Sequence, residues 1–446
     1  MLPELLPRPA AIEPAEYQKR REALIAQLPH NAAMVVPGAS LVTRSHDSEY
    51  AFRQQSDFYY LTGIQEPDGL LVLLPGREEG QSVVFCQDRD PTLEAWTGRR
   101  LGAQGVERLH GLDQAYENAQ RDELLPGLLE GRELLYAPLD NPDALSIAED
   151  ALAHAQAGLR RGQPALKGWL DSRPLIHSMR LIKSPAEIAL LRHAAAISAQ
   201  AHVRAMRACQ SGLSEYQLQA ELEHEFRFQG ASGPAYSTIV GGGANACVLH
   251  YIENSDELEA DTLVLIDAGA EFDLYAGDIT RTFPVSGCFN DAQRALYQVV
   301  LDAQVRAVEA VAPGATLADI HQGVVHDLTA GLIALGLLEG EIQARIDDES
   351  YRRFYLHSTS HWLGLDVHDV GTYRFDEQTP RPLTEGMVLT VEPGLYIPDE
   401  DDIPTAYRGM GIRIEDNVVV TSRGHEVLTA AVPKQVAEIE QLMSNK

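Results

Sequence analysis

The sequence predicts an α+β chain in two parts, and three observations carry that prediction: its length, a change of sequence character near residue 175, and strands in the second half that return on themselves as hairpins. At 446 residues the chain exceeds one ordinary core, since a domain takes about 150 residues. Two domains are expected, residues 1–175 and 176–446.

In the first part short apolar runs alternate with helical stretches. LLVLLP at 70–75, SVVFC at 82–86 and ELLYAP at 133–138 read as buried strands of an α/β layered domain. The second part opens with Ser184, Pro185 and Glu187, a helix start in which Ser caps, Pro takes the first helical position and Glu reaches back. That helix should run to about Cys209 and stop near Gly212. A second follows Ser214, with Gln217 three residues on, and ends at Gly230; a third begins near Asn290 and Asp291 and stops at Pro313-Gly314; a fourth starts at Thr316. Between and after them TLVLID (262–267), DITRTFPV (278–285), MVLTVEP (387–393) and GIRIEDNVVVT (411–421) are rich in Val, Ile and Thr. A curved antiparallel sheet with helices on one face follows.

Apolar residues at 45% and charged residues at 23% are those of a soluble globular protein, and no run approaches the roughly 20 apolar residues of a membrane span. No membrane association is expected. The amino terminus interrupts its apolar residues with Pro and Glu and shows no secretion signal. Cys86, Cys209, Cys247 and Cys288 lie far apart without a C-x-x-C pair, which argues against a disulfide framework and fits a reducing cytoplasm. A formal net charge of -29 repels polyanions, so nucleic acid is not an expected partner. Such acidity is mostly a solvated surface and does not by itself announce a metal.

Asp267 ends one apolar strand and Asp278 begins the next, so a tight hairpin centred on Phe272-Asp273 sets the two opposite each other, with Cβ atoms about 5 Å apart. Like charges facing across a hairpin need something positive between them, and a metal pair about 3.5–4 Å apart supplies it. On these two residues alone the more ordinary account is that one aspartate is a turn residue or N-cap and the pair never meets. Glu392 adds weight, because it closes the run MVLTV directly before Pro393-Gly394. Glu415 repeats the pattern in GIRIEDNVVV, where alternation puts Arg413 and Glu415 on one face. Four strand-borne carboxylates amid Val and Ile each call for a compensating cation.

His357, His361 and His368 fall within twelve residues of YLHSTSHWLGLDVHDVG. The spacing His357-x-x-x-His361 matches a helical zinc motif, but its interior is Ser-Thr-Ser without the required Glu, so that motif is set aside. A single His in an apolar setting is commonly a hydrogen-bonded core residue. One imidazole with four carboxylates suits two hard or borderline divalent ions, Mn(2+) ahead of Zn(2+) or Co(2+) because oxygen ligands dominate. The glycines of GGGAN (241–245) lack a following Lys-Ser/Thr and read as a flexible turn beside the cleft rather than a phosphate loop. No G-x-S-x-G nucleophile elbow occurs.

The order Asp267, Asp278, His361, Glu392, Glu415 resembles the five-ligand set of the proline-specific and methionine-specific metallopeptidases with the pita-bread fold. SHWLGLDVHDVG (360–371), VEPGLYI (391–397) and GIRIEDNVVVT closely resemble the Xaa-Pro aminopeptidases, and EYAFRQQSDFYYLTG (49–63) resembles the amino-terminal domain of that subfamily. The resemblance implies a C-terminal pita-bread (creatinase/aminopeptidase-like) domain behind a smaller N-terminal α/β domain that serves oligomerisation and cleft access. It implies that Asp267 binds one metal, that Asp278 and Glu415 bridge both, and that His361 and Glu392 complete the two shells. His250 and His368 resemble substrate-side histidines, Arg413 and Tyr396 match positions that orient ligand carboxylates, and His357 matches a further histidine near the pocket.

The expected activity is release of the residue preceding proline from a peptide amino terminus, by attack of a metal-bridging hydroxide. Glu392 is expected to move the proton, His361 and His250 to stabilise the tetrahedral intermediate, and His368 to position the proline side. A prolidase, which uses the same five ligands on Xaa-Pro dipeptides, is the alternative; a non-enzymatic pita-bread binding protein would have no need of all five. A homo-oligomer, dimer or tetramer, is expected, and Phe58-Tyr59-Tyr60 form either core or an edge used by a neighbour.

Overall fold

In the computed structural model, which describes residues 5–444, the start signal at Ser184 is a complete capping box: the Ser184 hydroxyl accepts from Glu187 N and the Glu187 carboxylate accepts from Ser184 N. The helix it opens runs Pro185–Ala208. Ser214 and Gln217 form a second box at the head of Glu215–Phe228, and Asn290 and Gln293 a third at Asp291–Glu309. Thr316 caps Leu317–Ala334. Each sits where local sequence places it, because a cap is a short-range contact that needs no tertiary partner.

By its internal contacts the chain divides into a unit Ala11–Arg180 and a second unit that runs from Leu181 onward and includes the described start of the chain up to Ala10. The first holds a six-stranded mixed sheet. Its central strand Ala32–Pro37 pairs antiparallel with Leu70–Leu73 and parallel with Leu134–Ala137; Ser82–Cys86 and Gln114–Glu117 extend one side, Gly168–Asp171 the other. Val35, Val72, Phe85 and Leu135 form its core with the helix Pro142–Gly158. Phe58, Tyr59 and Tyr60 lie in a short helix, Ser56–Thr62, and all three rings are buried. They are core, not an exposed edge. A cavity of about 900 Å³ lies between the helices Arg121–Leu129 and Pro142–Gly158 of this unit.

The second unit holds antiparallel ladders, as expected, but as several short sheets rather than one continuous one. GIRIEDNVVVT is two strands, Met410–Arg413 and Asp416–Thr421, in different sheets. The run beginning at Met387 is likewise divided into Val388–Val391 and Gly394–Ile397. Helix Pro185–Ala208 packs on Ala270–Phe272, and helix Asp291–Glu309 on Met410–Arg413. The glycines of GGGAN do not form a simple turn. They end the strand Ile239–Gly242 and open a 3-10 helix, Gly243–Cys247, where a Cβ on Gly242 would come within 2.7 Å of Leu258. No helix is long and apolar enough to cross a membrane among the described residues.

Candidate metal centre

Two antiparallel ladders, each interrupted in its middle, present the four carboxylates. On the first, Asp267 closes the strand Leu263–Asp267 and pairs with Thr280, the first residue of Thr280–Pro284. The hairpin beyond turns on Asp273-Leu274, with φ of 47° and 68°, not on Phe272-Asp273. Phe272 is kept in the strand by its buried ring, edge-on to His193 at 4.4 Å, whereas aspartate tolerates the left-handed turn. Backbone bonds from Ala268 N to Ile279 O and from Gly277 N to Ala270 O hold the register through the break. Asp278 therefore falls opposite Gly269, and the two aspartates are diagonal rather than directly opposed. They still converge, because positions 278 and 280 share a face. The Tyr236 hydroxyl lies 2.6 Å from Asp267 Oδ1 and 2.5 Å from Asp278 Oδ1.

On the second ladder Val391 pairs with Asp416 and Gly394 with Arg413, the same register on both sides of the break. Ile414 N donates to Pro393 O across the gap. Glu392 is thus set opposite Glu415, and the alternation that places Arg413 and Glu415 on one face continues through it. Threonines on the same faces hold the carboxylates. Thr280 Oγ1 donates to Glu415 Oε2 at 2.7 Å, and Thr390 Oγ1 to Glu392 Oε1 at 3.2 Å.

His361 comes from a loop whose backbone is tied to the second ladder: Thr390 N donates to His361 O, and His361 N to Thr390 Oγ1. Its Nδ1 donates to the Trp362 carbonyl at 2.9 Å, so Nε2 faces Asp278 Oδ2 at 3.4 Å and Glu392 Oε1 at 3.5 Å. Asp278, His361 and Glu415 each offer a ligand atom within 4.8 Å of the others.

Burial and mutual repulsion set the protonation of this cluster. Burial pushes the Glu392 carboxyl up to about 7, with the charge of His361 opposing and that of Asp278 adding. Glu415, 1% exposed, is pushed well above the carboxylate range by burial and then by Asp278, Glu392 and Asp267. Asp278 is raised by burial, against the His361 bond. Burial pulls the His361 imidazole down, but the Asp278 bond and the Glu392 charge outweigh it and hold it at about 9. Glu415 takes part in no ion pair among the described residues. Buried carboxylates facing each other with so little compensation fit divalent cations, and four oxygen donors to one nitrogen fit a hard or borderline ion.

Around the cluster runs a directed chain of hydrogen bonds. Arg413 donates to Asp267 Oδ2 at 2.7 Å, to Thr280 Oγ1 at 3.1 Å and to the Tyr396 oxygen at 2.8 Å. Tyr396 must then donate to His357 Nε2 (2.8 Å), and His357 Nδ1 to the Ser358 carbonyl (2.8 Å). Burial and then the Arg413 charge pull His357 down to about 4, consistent with this neutral tautomer. His357 Nδ1 stands 3.8 Å from Glu392 Oε2.

All five expected ligands, with His250, His357, His368 and Arg413, line one cleft of about 500 Å³ whose apolar wall is Ile239, Leu249, Ile252 and Val367. Tyr396 stands behind it through Arg413 and His357. His368 lies edge-on to His361 at 4.4 Å between ring centres. Sequence reasoning missed Tyr236, which no local pattern marks, and the two threonines. Those had a signal: D-x-T at 278–280 and T-x-E at 390–392 put a hydroxyl beside a carboxylate on one strand face.

Residues 189–422 match the model of metallopeptidase family M24, and residues 17–136 that of the aminopeptidase P N-terminal domain. The Xaa-Pro aminopeptidase of Escherichia coli (strain K12) is 47% identical, covering 96% of this chain and 97% of its own. The solved structure of Pseudomonas aeruginosa aminopeptidase PepP superposes with a TM-score of 0.95 at 47% identity, covering 98% of this chain and 99% of that one. Zn-substituted E. coli aminopeptidase P in complex with product matches with a TM-score of 0.95 at 46% identity and the same coverage.

Proposed function

Because the chain belongs to metallopeptidase family M24, with that family's pita-bread fold and an aminopeptidase P N-terminal domain, we propose that it is an Xaa-Pro aminopeptidase, a hydrolase that uses divalent metal to release the residue preceding proline. The observation that carries this is the convergence of Asp267, Asp278, His361, Glu392 and Glu415 on one cleft with His250 and His368 at its wall. Those five side chains would hold two ions; manganese is favoured by the oxygen-rich donor set. Bound there, the ions would supply a water acidic enough to attack at neutral pH and would polarise the scissile carbonyl.

The remaining chemistry belongs to the chain. Glu392, set beside His361 and the Thr390 hydroxyl, accepts a proton from the attacking water and delivers it to the prolyl nitrogen as the C–N bond breaks. With His361 assigned to the metal set, donation to the carbonyl oxygen of the tetrahedral intermediate falls to His250, and His368 positions the proline side. Arg413 fixes Asp267 and, through Tyr396, His357. The full-length likeness to Xaa-Pro aminopeptidases favours this activity over a prolidase's. Four free cysteines support a cytoplasmic location, and we assign the Ala11–Arg180 unit a part in a homo-oligomer. Purified protein should release alanine from Ala-Pro-Ala, lose that activity to a chelator and regain it with manganese. No release after manganese is restored overturns the reading.

A further inference from the structure

Glu215, the first residue of the helix Glu215–Phe228, is completely buried, and no cation pairs with it among the described residues. Its carboxylate is instead the meeting point of four donors from the excursion 242–256. Oε1 accepts from Gly242 N at 2.7 Å and Asn245 Nδ2 at 3.0 Å; Oε2 accepts from the Tyr251 hydroxyl at 2.8 Å and Asp256 N at 3.0 Å. Gly242 and Asp256 bracket the excursion, and Tyr251 is its buried anchor. Two residues beside that anchor, His250 and Ile252, together with Leu249, line the metal cleft. Four donors on one carboxylate satisfy its lone pairs, which is how a buried charge persists without a counter-ion.

We propose that Glu215 is a positioning residue for peptide hydrolysis: by gathering both ends and the middle of 242–256 onto one carboxylate it sets where His250 stands in the cleft. Glu215 touches neither substrate nor metal, so its effect on turnover passes through His250. An amide in its place turns one acceptor into a donor facing donors, and the excursion loses part of its anchorage. The inference rests on the peptidase reading, since it is through that reaction that His250 has a task.

The test is a double-mutant cycle on the manganese-loaded enzyme with Ala-Pro-Ala, using wild type, Glu215→Gln, His250→Ala and the pair. Glu215→Gln should lower kcat by 10-fold or more with KM and metal content little changed, and this loss should vanish in the His250→Ala background. In the metal-free protein the amides of Gly242 and Asp256 should exchange faster in Glu215→Gln than in wild type. Tyr251→Phe, which removes one donor and keeps the ring, should show a smaller loss with the same disappearance, and it carries the test if Glu215→Gln does not fold. Losses that multiply in the pair, or amide exchange that is unchanged, overturn the proposal. Wild type that does not cleave Ala-Pro-Ala overturns the peptidase reading instead, and the exchange measurement still decides whether Glu215 anchors the excursion.

Discussion

Glu392 and Glu415 stand opposite each other in one antiparallel register that is broken for two residues on both strands, so that a buried and a half-buried carboxylate face where a continuous sheet would have placed a cross-strand pair. Like charges in that position are destabilising, and the break frees both side chains to turn into the cleft toward Asp278 and His361. A cation bound between them would offset that repulsion.

Removing a carboxylate from this cluster therefore has opposite effects with and without metal. Asp278→Asn and Glu415→Ala should abolish turnover and lower bound manganese, measured by elemental analysis of dialysed protein. Metal-stripped Glu415→Gln should melt a few degrees above metal-stripped wild type, because the cost of burying that carboxyl beside Asp278 and Glu392 is gone. Full activity with two ions still bound in either of the first two variants rules out the ligand assignment.

His250 and His368 are assigned to the substrate, not to the metal. Their alanine variants should keep wild-type metal content and lose roughly 10²- to 10³-fold in kcat/KM, the scale of a lost donor to a developing oxyanion. Loss of an ion from either variant would move that histidine into the ligand set.

The chain from Arg413 through Tyr396 to His357 divides into two parts with different consequences. Arg413→Met leaves Asp267 without its charged partner and should weaken metal binding by roughly 10- to 100-fold, as for other groups that orient a ligand. Tyr396→Phe keeps that contact and removes the donor to His357 and one of the acceptors of Arg413, so a metal titration should give near wild-type affinity. Equal weakening by both would mean that Tyr396 orients the arginine.

Stability should fall in mild acid through a residue away from the cleft. His202 is completely buried, its Nε2 donates to Ala268 O at 2.9 Å, and burial pulls its imidazole down to about 4. The unfolded chain takes up the proton near pH 6.5 and the folded chain only near 4, so the stability present above about 6.5 is lost as pH falls through that window. The loss amounts to about 3 kcal/mol at its end. Urea midpoints at pH 7.5 and 4.5 should differ less for His202→Asn than for wild type; an identical difference would show that this histidine does not titrate as described.

Substrate length separates the aminopeptidase from a prolidase. A prolidase must pair the proline carboxylate with a cation in a closed pocket, and a site built for that partner rejects a longer peptide. The ratio of kcat/KM for Ala-Pro-Ala to that for Ala-Pro, with manganese present, should exceed one. Cleavage of the dipeptide alone would convert the assignment to prolidase and leave the metal site untouched.

Much of this was legible in the residues themselves. Helix starts at Ser184, Ser214, Asn290 and Thr316 were readable because capping is local, and the four carboxylates of the cleft stood out because an acidic group closing a Val- and Ile-rich run is costly to bury unless a cation meets it. The turn at Asp273-Leu274 was not. Its position depends on Phe272 burying its ring against His193, a contact between residues 79 apart in the chain. The break of GIRIEDNVVVT into two strands was hidden too, since alternation continues unchanged across it.

The sequence by itself determined the order of helices and strands, the acidic residues and histidines of the cleft and the family resemblance, all of which rest on neighbours within a few residues. Tertiary structure alone decided which groups meet: Tyr236 between two aspartates, Glu392 against Glu415, and the Glu215 carboxylate under the excursion that carries His250. The reason is physical. A cap or an alternation pattern is fixed by the geometry of one element, whereas a buried charge is fixed by whichever donors and charges the whole chain brings around it, and those have no signature at its own position.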